Sequence, residues 1–178
     1  MRIAIIDNGK GAKELQKLLP NSMVVKPKDA LKSAADAFIL SDGDPNEENE
    51  KYNVEILDNA KKPVLAIGLG YLYLGALMGA EVEDCKPVNH KVELRLVHGS
   101  PITTALKKVM VHQEFSLKLA SIPEDVLSIA ATKDADIIQD VEKPFIGVNF
   151  RPELSPDGPA IMKNFLAFVE VYNQYHKQ

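Results

Sequence analysis

Through the first 80 residues, short apolar, β-branched runs alternate with longer stretches in which apolar positions recur every three or four residues. Arg2 to Ile6, Met23 to Val25, Ala37 to Leu40 and Pro63 to Ile67 have the first pattern and are expected to be strands. Ala12 to Leu19 carries Leu15, Leu18 and Leu19 at helical spacing, and Glu48 to Ala60 carries Tyr52, Ile56 and Leu57 likewise. Strands that alternate with helices of this length predict βαβ units and a parallel sheet.

From Lys91 the period changes to two. Val92, Leu94 and Leu96 alternate with Glu93, Arg95 and Val97, and Val109 and Val111 flank Met110, which predicts antiparallel strands with one solvated face. Leu127 to Ala131 and Ile137 to Val141 are expected to continue this meander. Phe145 to Phe150 then has the apolar continuity of a buried strand, and Gly158 to Tyr175 places Ile161, Phe165, Phe168 and Val169 on one face of a last helix. The expected order is a parallel α/β half, an antiparallel excursion, and a return to the sheet.

Composition narrows the functional classes. A chain of 178 residues with 46% apolar content fills one core, so residues 1–178 are expected to form a single domain. No apolar run approaches the ~20 residues that cross a bilayer, and the opening Arg-Ile-Ala-Ile-Ile has the pattern of a strand rather than of a secretion signal. A lone Cys85 allows no internal disulfide, which fits a reducing cytoplasm. The net charge of -4, with lysines scattered among acids, argues against nucleic acid as a partner. His90, His98, His112 and His176 have no ligand spacing, and Asp42 and Asp44 lie in a turn-forming Ser-Asp-Gly-Asp-Pro loop, so neither a metal nor a cofactor is expected.

The most informative segment runs from Pro63 to Ala80. An apolar strand ends at Ile67, the chain turns through Gly68, Leu69 and Gly70, and an apolar helix follows. This is the outline of a nucleophile elbow, whose central residue is strained and exposed at the strand tip. Here the central residue is Gly68, which has no side chain with which to attack.

Pro63 to Gly79 resembles the Pro-Val-Leu-Gly-Ile-Cys-Leu-Gly-His-Gln segment of class I glutamine amidotransferases, with Gly68 in place of the cysteine and Leu72 in place of the glutamine. Gly147-Val-Asn-Phe-Arg-Pro-Glu153 is similar to the family's Gly-Val-Gln-Phe-His-Pro-Glu, with Arg151 in place of the histidine and Glu153 retained. Ile5 to Gly9 resembles the start of archaeal-type GMP synthase amidotransferase subunits. Leu40 to Pro45 matches the loop that helps form the family's oxyanion hole, and His112 falls about where those subunits carry a histidine. The resemblance implies a three-layer α/β fold of flavodoxin-like type with a mostly parallel sheet. It also implies a synthetase-type protein partner and a remnant pocket built from Asp42, Gly43, Gly68, Leu69, Gly70, Leu72 and Arg151.

Acyl transfer from glutamine needs a nucleophile, a base and oxyanion donors, and an arginine stays charged and accepts no proton. Glutamine hydrolysis is therefore not expected. Gly68 either relieves backbone strain or leaves amides free for a small anion clamped by Arg151. Arg151 would otherwise pair with Asp42 or Glu153 and close the pocket. Tyr71 would fill space left by a glutamine substrate. Two functions follow: a non-catalytic binding or regulatory subunit, or an enzyme of different chemistry that uses Ser41, Arg151 or Glu153 on an anionic substrate.

Overall fold

The computed structural model describes residues 1–176; Lys177 and Gln178, the end of the expected domain, lie outside the described residues. In chain order come β1 (Ile3–Ile6), α1 (Ala12–Leu18), β2 (Met23–Val25), β3 (Ala37–Leu40), α2 (Glu47–Asn59), β4 (Val64–Ile67) and α3 (Leu69–Leu77). Two long strands, β5 (Glu81–Arg95) and β6 (Lys108–Ser121), follow. The chain closes with β7 (Leu127–Ser128), β8 (Ile137–Gln139), β9 (Phe145–Val148) and α4 (Gly158–Tyr175).

A seven-stranded sheet has the order β2-β1-β3-β4-β9-β8-β7. Its first five strands run parallel, and β8 and β7 add an antiparallel edge. The strands of the parallel part are apolar on both faces, as a sheet covered on both sides requires. Successive side chains point to opposite faces, and the core divides accordingly. Ile3, Ile5, Ile39, Leu65, Ile67, Ile146 and Val148 pack with Leu15 of α1 and with Ile161 and Phe165 of α4. Ala4, Ile6, Phe38, Leu40, Val64, Ala66 and Phe145 pack with Ile56 and Leu57 of α2 and with Tyr71, Leu72 and Leu74 of α3. The three layers are thus α1 and α4, the sheet, and α2 and α3.

The antiparallel excursion differs from expectation in two ways. The ribbon begins at Glu81 rather than Lys91, with a register shift between Asp84 and Val88, so its outer half carries no clean period-two pattern. The strands at Leu127 and Ile137 join the edge of the main sheet, β8 pairing with β9 and β7 with β8, where Ile137 and Ile138 are fully buried, and the end of the ribbon meets this segment through an antiparallel bridge between Leu96 and Ala130. The ribbon packs on both outer layers: Leu94, Val109 and Val111 join the α1/α4 side, and Leu119 joins the α2/α3 side.

That second contact depends on a close approach, because a Cβ at Gly75 of α3 would stand 2.5 Å and 2.7 Å from the two methyls of Leu119. Gly75→Val should therefore destabilise the fold by about 1–3 kcal/mol through overpacking. The check is a urea unfolding curve whose midpoint falls without a change of slope; an unmoved midpoint would mean that the ribbon is not held by α3.

Candidate functional site

The elbow lies at the C-terminal end of β4, where parallel α/β sheets place their ligand crevices. Gly68 has φ 53 and ψ -106, in the left-handed half of conformational space that side chains disfavour. Its N–H donates to the Val148 carbonyl at 3.1 Å, which ties the turn to β9. A Cβ built at Gly68 would stand 2.2 Å from Asp42 Oδ1 and 2.5 Å from Asp42 Cγ. The Asp42 carboxylate therefore occupies the volume that any side chain at position 68 would need.

The same carboxylate caps α3. The Leu69 N–H donates to Asp42 Oδ1 at 2.9 Å, and Gly68 supplies no side-chain cap of its own. An anion at a helix N-terminus satisfies orphan amides and complements the helix dipole, so here the anion is a residue of the chain itself.

A buried polar network holds Asp42 in place. Gly9–Lys10 pairs antiparallel with Asp42–Gly43. Just before it, Asn8 donates from Nδ2 to the Ser41 carbonyl (2.8 Å) and to Asn53 Oδ1 (3.0 Å), and Asn53 Nδ2 returns a bond to Asn8 Oδ1 (2.8 Å). The Asn8 N–H donates to Ser41 Oγ at 3.0 Å, and Ser41 Oγ donates to the Asp42 carbonyl at 3.0 Å. Ser41 and Asn53 are fully buried. The Ser41 hydroxyl is therefore committed to the network and is not a free nucleophile, which removes the role that the different-chemistry reading gave it.

Arg151 is buried and surrounded by carboxylates. Its Nε donates to Glu153 Oε1 at 2.5 Å, and its Nη1 lies 3.2 Å from Glu114 Oε2 and 3.7 Å from Asp42 Oδ2. Burial alone would lower its pKa; the charges of Glu153, Asp42 and Glu114 outweigh that and hold it above its ordinary value. The main chain locks it too: the Arg151 N–H donates to the His112 carbonyl (2.8 Å), and Ser155 Oγ donates to the Arg151 carbonyl (2.6 Å). Glu153 has a side chain only 1% exposed. Its Oε2 is buried without a partner, and burial raises its pKa above the ordinary value of 4.5 despite the neighbouring guanidinium.

A cavity of about 370 Å³ opens beside the elbow. Asp42, Gly43, Gly68, Leu69 and Leu72 line it, with Lys10, Asp44 and Asn149 and with Pro87 to Asn89 and Glu114 to Leu117 of the ribbon. Three expected members or occupants are placed elsewhere. Gly70 faces β3, where its Cβ would be 2.7 Å from Leu40 Cβ. Arg151 stands behind the cavity, drawn back by Glu153 and Glu114. Tyr71 is fully buried in the α2/α3 layer and donates to the Ala135 carbonyl at 2.9 Å, so it fills no substrate space. His112 contributes main-chain bonds, donating from its N–H to Ser155 Oγ at 2.9 Å, and does not line the cavity.

The sequence model described as Glutamine amidotransferase class-I matches residues 4–169, nearly the whole chain. The chain belongs to that family. It is 30% identical to a subunit of the glutamine-hydrolyzing GMP synthase of Methanocaldococcus jannaschii, covering 84% of this chain and 81% of that protein. Anthranilate synthase component II of Haloarcula marismortui is 26% identical, covering 73% and 74%. The crystal structure of a GMP synthase subunit-type protein from Thermoplasma acidophilum superposes with a TM-score of 0.89 at 22% identity, covering 100% of this chain and 98% of that one, and supports the amidotransferase fold.

Sequence reasoning missed several lining residues of this amidotransferase-type cavity. Asn149 lies inside the Gly147 to Glu153 segment, two residues before Arg151, and Glu114 stands two residues after His112. Asn89 and Ser116 carried no signal, because the outer ribbon has irregular pairing. Among the described residues, no group of three His, Cys, Asp or Glu side chains is arranged to hold a metal ion, and no helix is long and apolar enough to cross a membrane.

Glu153 gives a pH signature. Its folded pKa is raised, so the stability it contributes is fully present below its unfolded pKa and is lost as pH rises through the folded value. Unfolding free energies of the native chain and Glu153→Gln, measured from about pH 4 to 7, should diverge: the native chain loses stability relative to the variant as pH rises. A difference of opposite slope would mean that Arg151 holds Glu153 ionised throughout, and one that is flat in pH would mean that the guanidinium cancels the effect of burial.

Proposed function

We propose that this chain is a non-hydrolysing class I amidotransferase-type protein that works as a binding or regulatory subunit of a synthetase, related to the amidotransferase subunit of GMP synthase. The observation that carries the reading is the Asp42 carboxylate. It fills the space of a side chain at position 68 and accepts from the Leu69 N–H, the amide that follows the nucleophile position and serves as an oxyanion donor in elbow enzymes. With Gly68 at the elbow and Arg151 in the Gly147 to Glu153 segment, the elbow carries no nucleophile, the histidine's place holds no proton acceptor, and the Leu69 oxyanion donor is already taken by Asp42. The reading takes the chain as one amidotransferase-type domain acting in the cytoplasm. Its similarity to the Methanocaldococcus jannaschii GMP synthase subunit supports a synthetase chain as the docking partner.

The test is ammonia release from glutamine by the purified chain, alone and with the candidate synthetase from the same source. None is expected in either case. Gly68→Cys with Arg151→His should also remain inactive while Asp42 is present, because a new Cβ would meet its carboxylate at 2.2 Å; adding Asp42→Gly should be needed for measurable hydrolysis. Ammonia from the native chain would end the non-catalytic reading, and activity in the double variant would show that Asp42 yields readily.

A further inference from the structure

The β6 segment from Glu114 to Leu117 forms one wall of the cavity. It lies between two apolar anchors, Val111 on the α1/α4 side and Leu119 on the α2/α3 side. Between those anchors, polar side chains tie the ribbon to the body. Glu114 pairs with Arg151, Gln113 donates from Nε2 to Asp136 Oδ1 at 2.6 Å, and Lys118 donates from Nζ to Asp134 Oδ1 at 2.8 Å. Two of these ties end on a single turn, Thr132 to Asp136, which leads into β8.

The main chain of that turn is held firmly. Ala135 has φ 49, in the left-handed region that a residue with a side chain enters at a cost, and such strain persists only where the surroundings over-determine it. Tyr71 of α3 donates to the Ala135 carbonyl at 2.9 Å and reaches the Asp134 carbonyl at 3.3 Å, while the Asn149 N–H donates to the Asp136 carbonyl at 2.8 Å. Elbow helix, central sheet and ribbon therefore meet at this turn, and Asp136, only 2% exposed, presents its carboxyl to the ribbon.

The charges that act on this carboxyl are few. They are Asp134 on the same turn and Lys118 on β6; Glu83 of β5 stands beyond Lys118, 3.6 Å from its Nζ, and burial keeps the Tyr71 phenol of α3 neutral. Burial, reinforced by the Asp134 charge, holds the pKa of Asp136 above the ordinary value of 3.8, although Gln113 and Lys118 favour the ion. A group with a raised folded pKa supports the closed arrangement fully at low pH and loses that support as pH rises through the folded value. An arrangement in which water reaches the carboxylate gains over the same window.

We propose that the bond between Gln113 and Asp136 is the latch of a pH-sensitive strap: with Asp136 neutral it holds the Gln113 to Lys118 span against the body, and ionisation of Asp136 releases that span and opens the cavity wall. The latch is independent of whether the chain hydrolyses glutamine.

The test is an NMR titration of the full chain from about pH 4 to 8. It follows the Asp136 carboxyl carbon together with the Gln113 side-chain amide, whose exposure is read from its relaxation by a neutral gadolinium chelate. The carboxyl should titrate above 3.8, and the chelate effect on Gln113 should rise several-fold with the same midpoint. Asp136→Asn should keep the amide screened at every pH. Lys118 and Asp134 are ion-pair partners with partly exposed side chains, so a merely structural role predicts the same effect from removing either. Their charges act oppositely on Asp136: Asp134→Asn should move the midpoint down and Lys118→Met should move it up. A carboxyl that titrates at or below 3.8, a Gln113 amide equally screened across the range or still opening in Asp136→Asn, or midpoints displaced in one direction by both partner variants would overturn the proposal.

Discussion

A carboxylate drawn out of water must be given donors and positive charge in exchange for its lost hydration. Asp42 meets that requirement at one point where three parts of the chain converge: the start of α3, the arginine after β9, and the loop between β3 and α2. Releasing any one of these partners would leave another charge or donor unpaired. The loop that carries Asp42 is fixed by the Asn8, Ser41 and Asn53 network. The elbow is fixed by the N–H of Gly68 on β9. These two anchors fix the elbow side of the cavity, which the ribbon closes from across.

The site is electrostatically lopsided. One guanidinium faces Asp42, Glu114 and Glu153, and the excess of negative charge is relieved differently at each acid. Asp42 leans on a helix terminus, Glu114 is partly solvated, and Glu153, the most enclosed, resists ionisation. An arginine suits this position because its planar fork serves several acceptors at once. A histidine would offer two ring nitrogens to the same three carboxylates.

Much of the fold was legible in the sequence. The parallel strands, their crossover helices and α4 follow from apolar period and length, because strands covered on both faces leave an unmistakable apolar run. The outer ribbon was not legible before Lys91: its residues are mostly exposed and its register shifts near Pro87, so no period survives. At the site, Gly68 and Arg151 stood out against the family resemblance, and the pairing of Arg151 with Asp42 and Glu153 was one of two open alternatives. What the sequence could not convey was distance. That Asp42 Oδ1 stands where a Cβ at position 68 would be is a property of two loops well separated in the chain.

The ribbon, finally, sets when the cavity comes into existence. It pairs Glu81 with Ser121 and Arg95 with Lys108, and its two sides rest on opposite layers of the sheet. Closing it requires non-local pairing, which carries a loop-closure cost that must be met before its contacts form. A chain with its sheet and helices assembled but its ribbon open would already have the elbow and the Asp42 cap, yet one wall of the cavity would be missing. Any molecule that seated against that wall would thereby draw the ribbon closed and lend its own free energy to the last stage of folding.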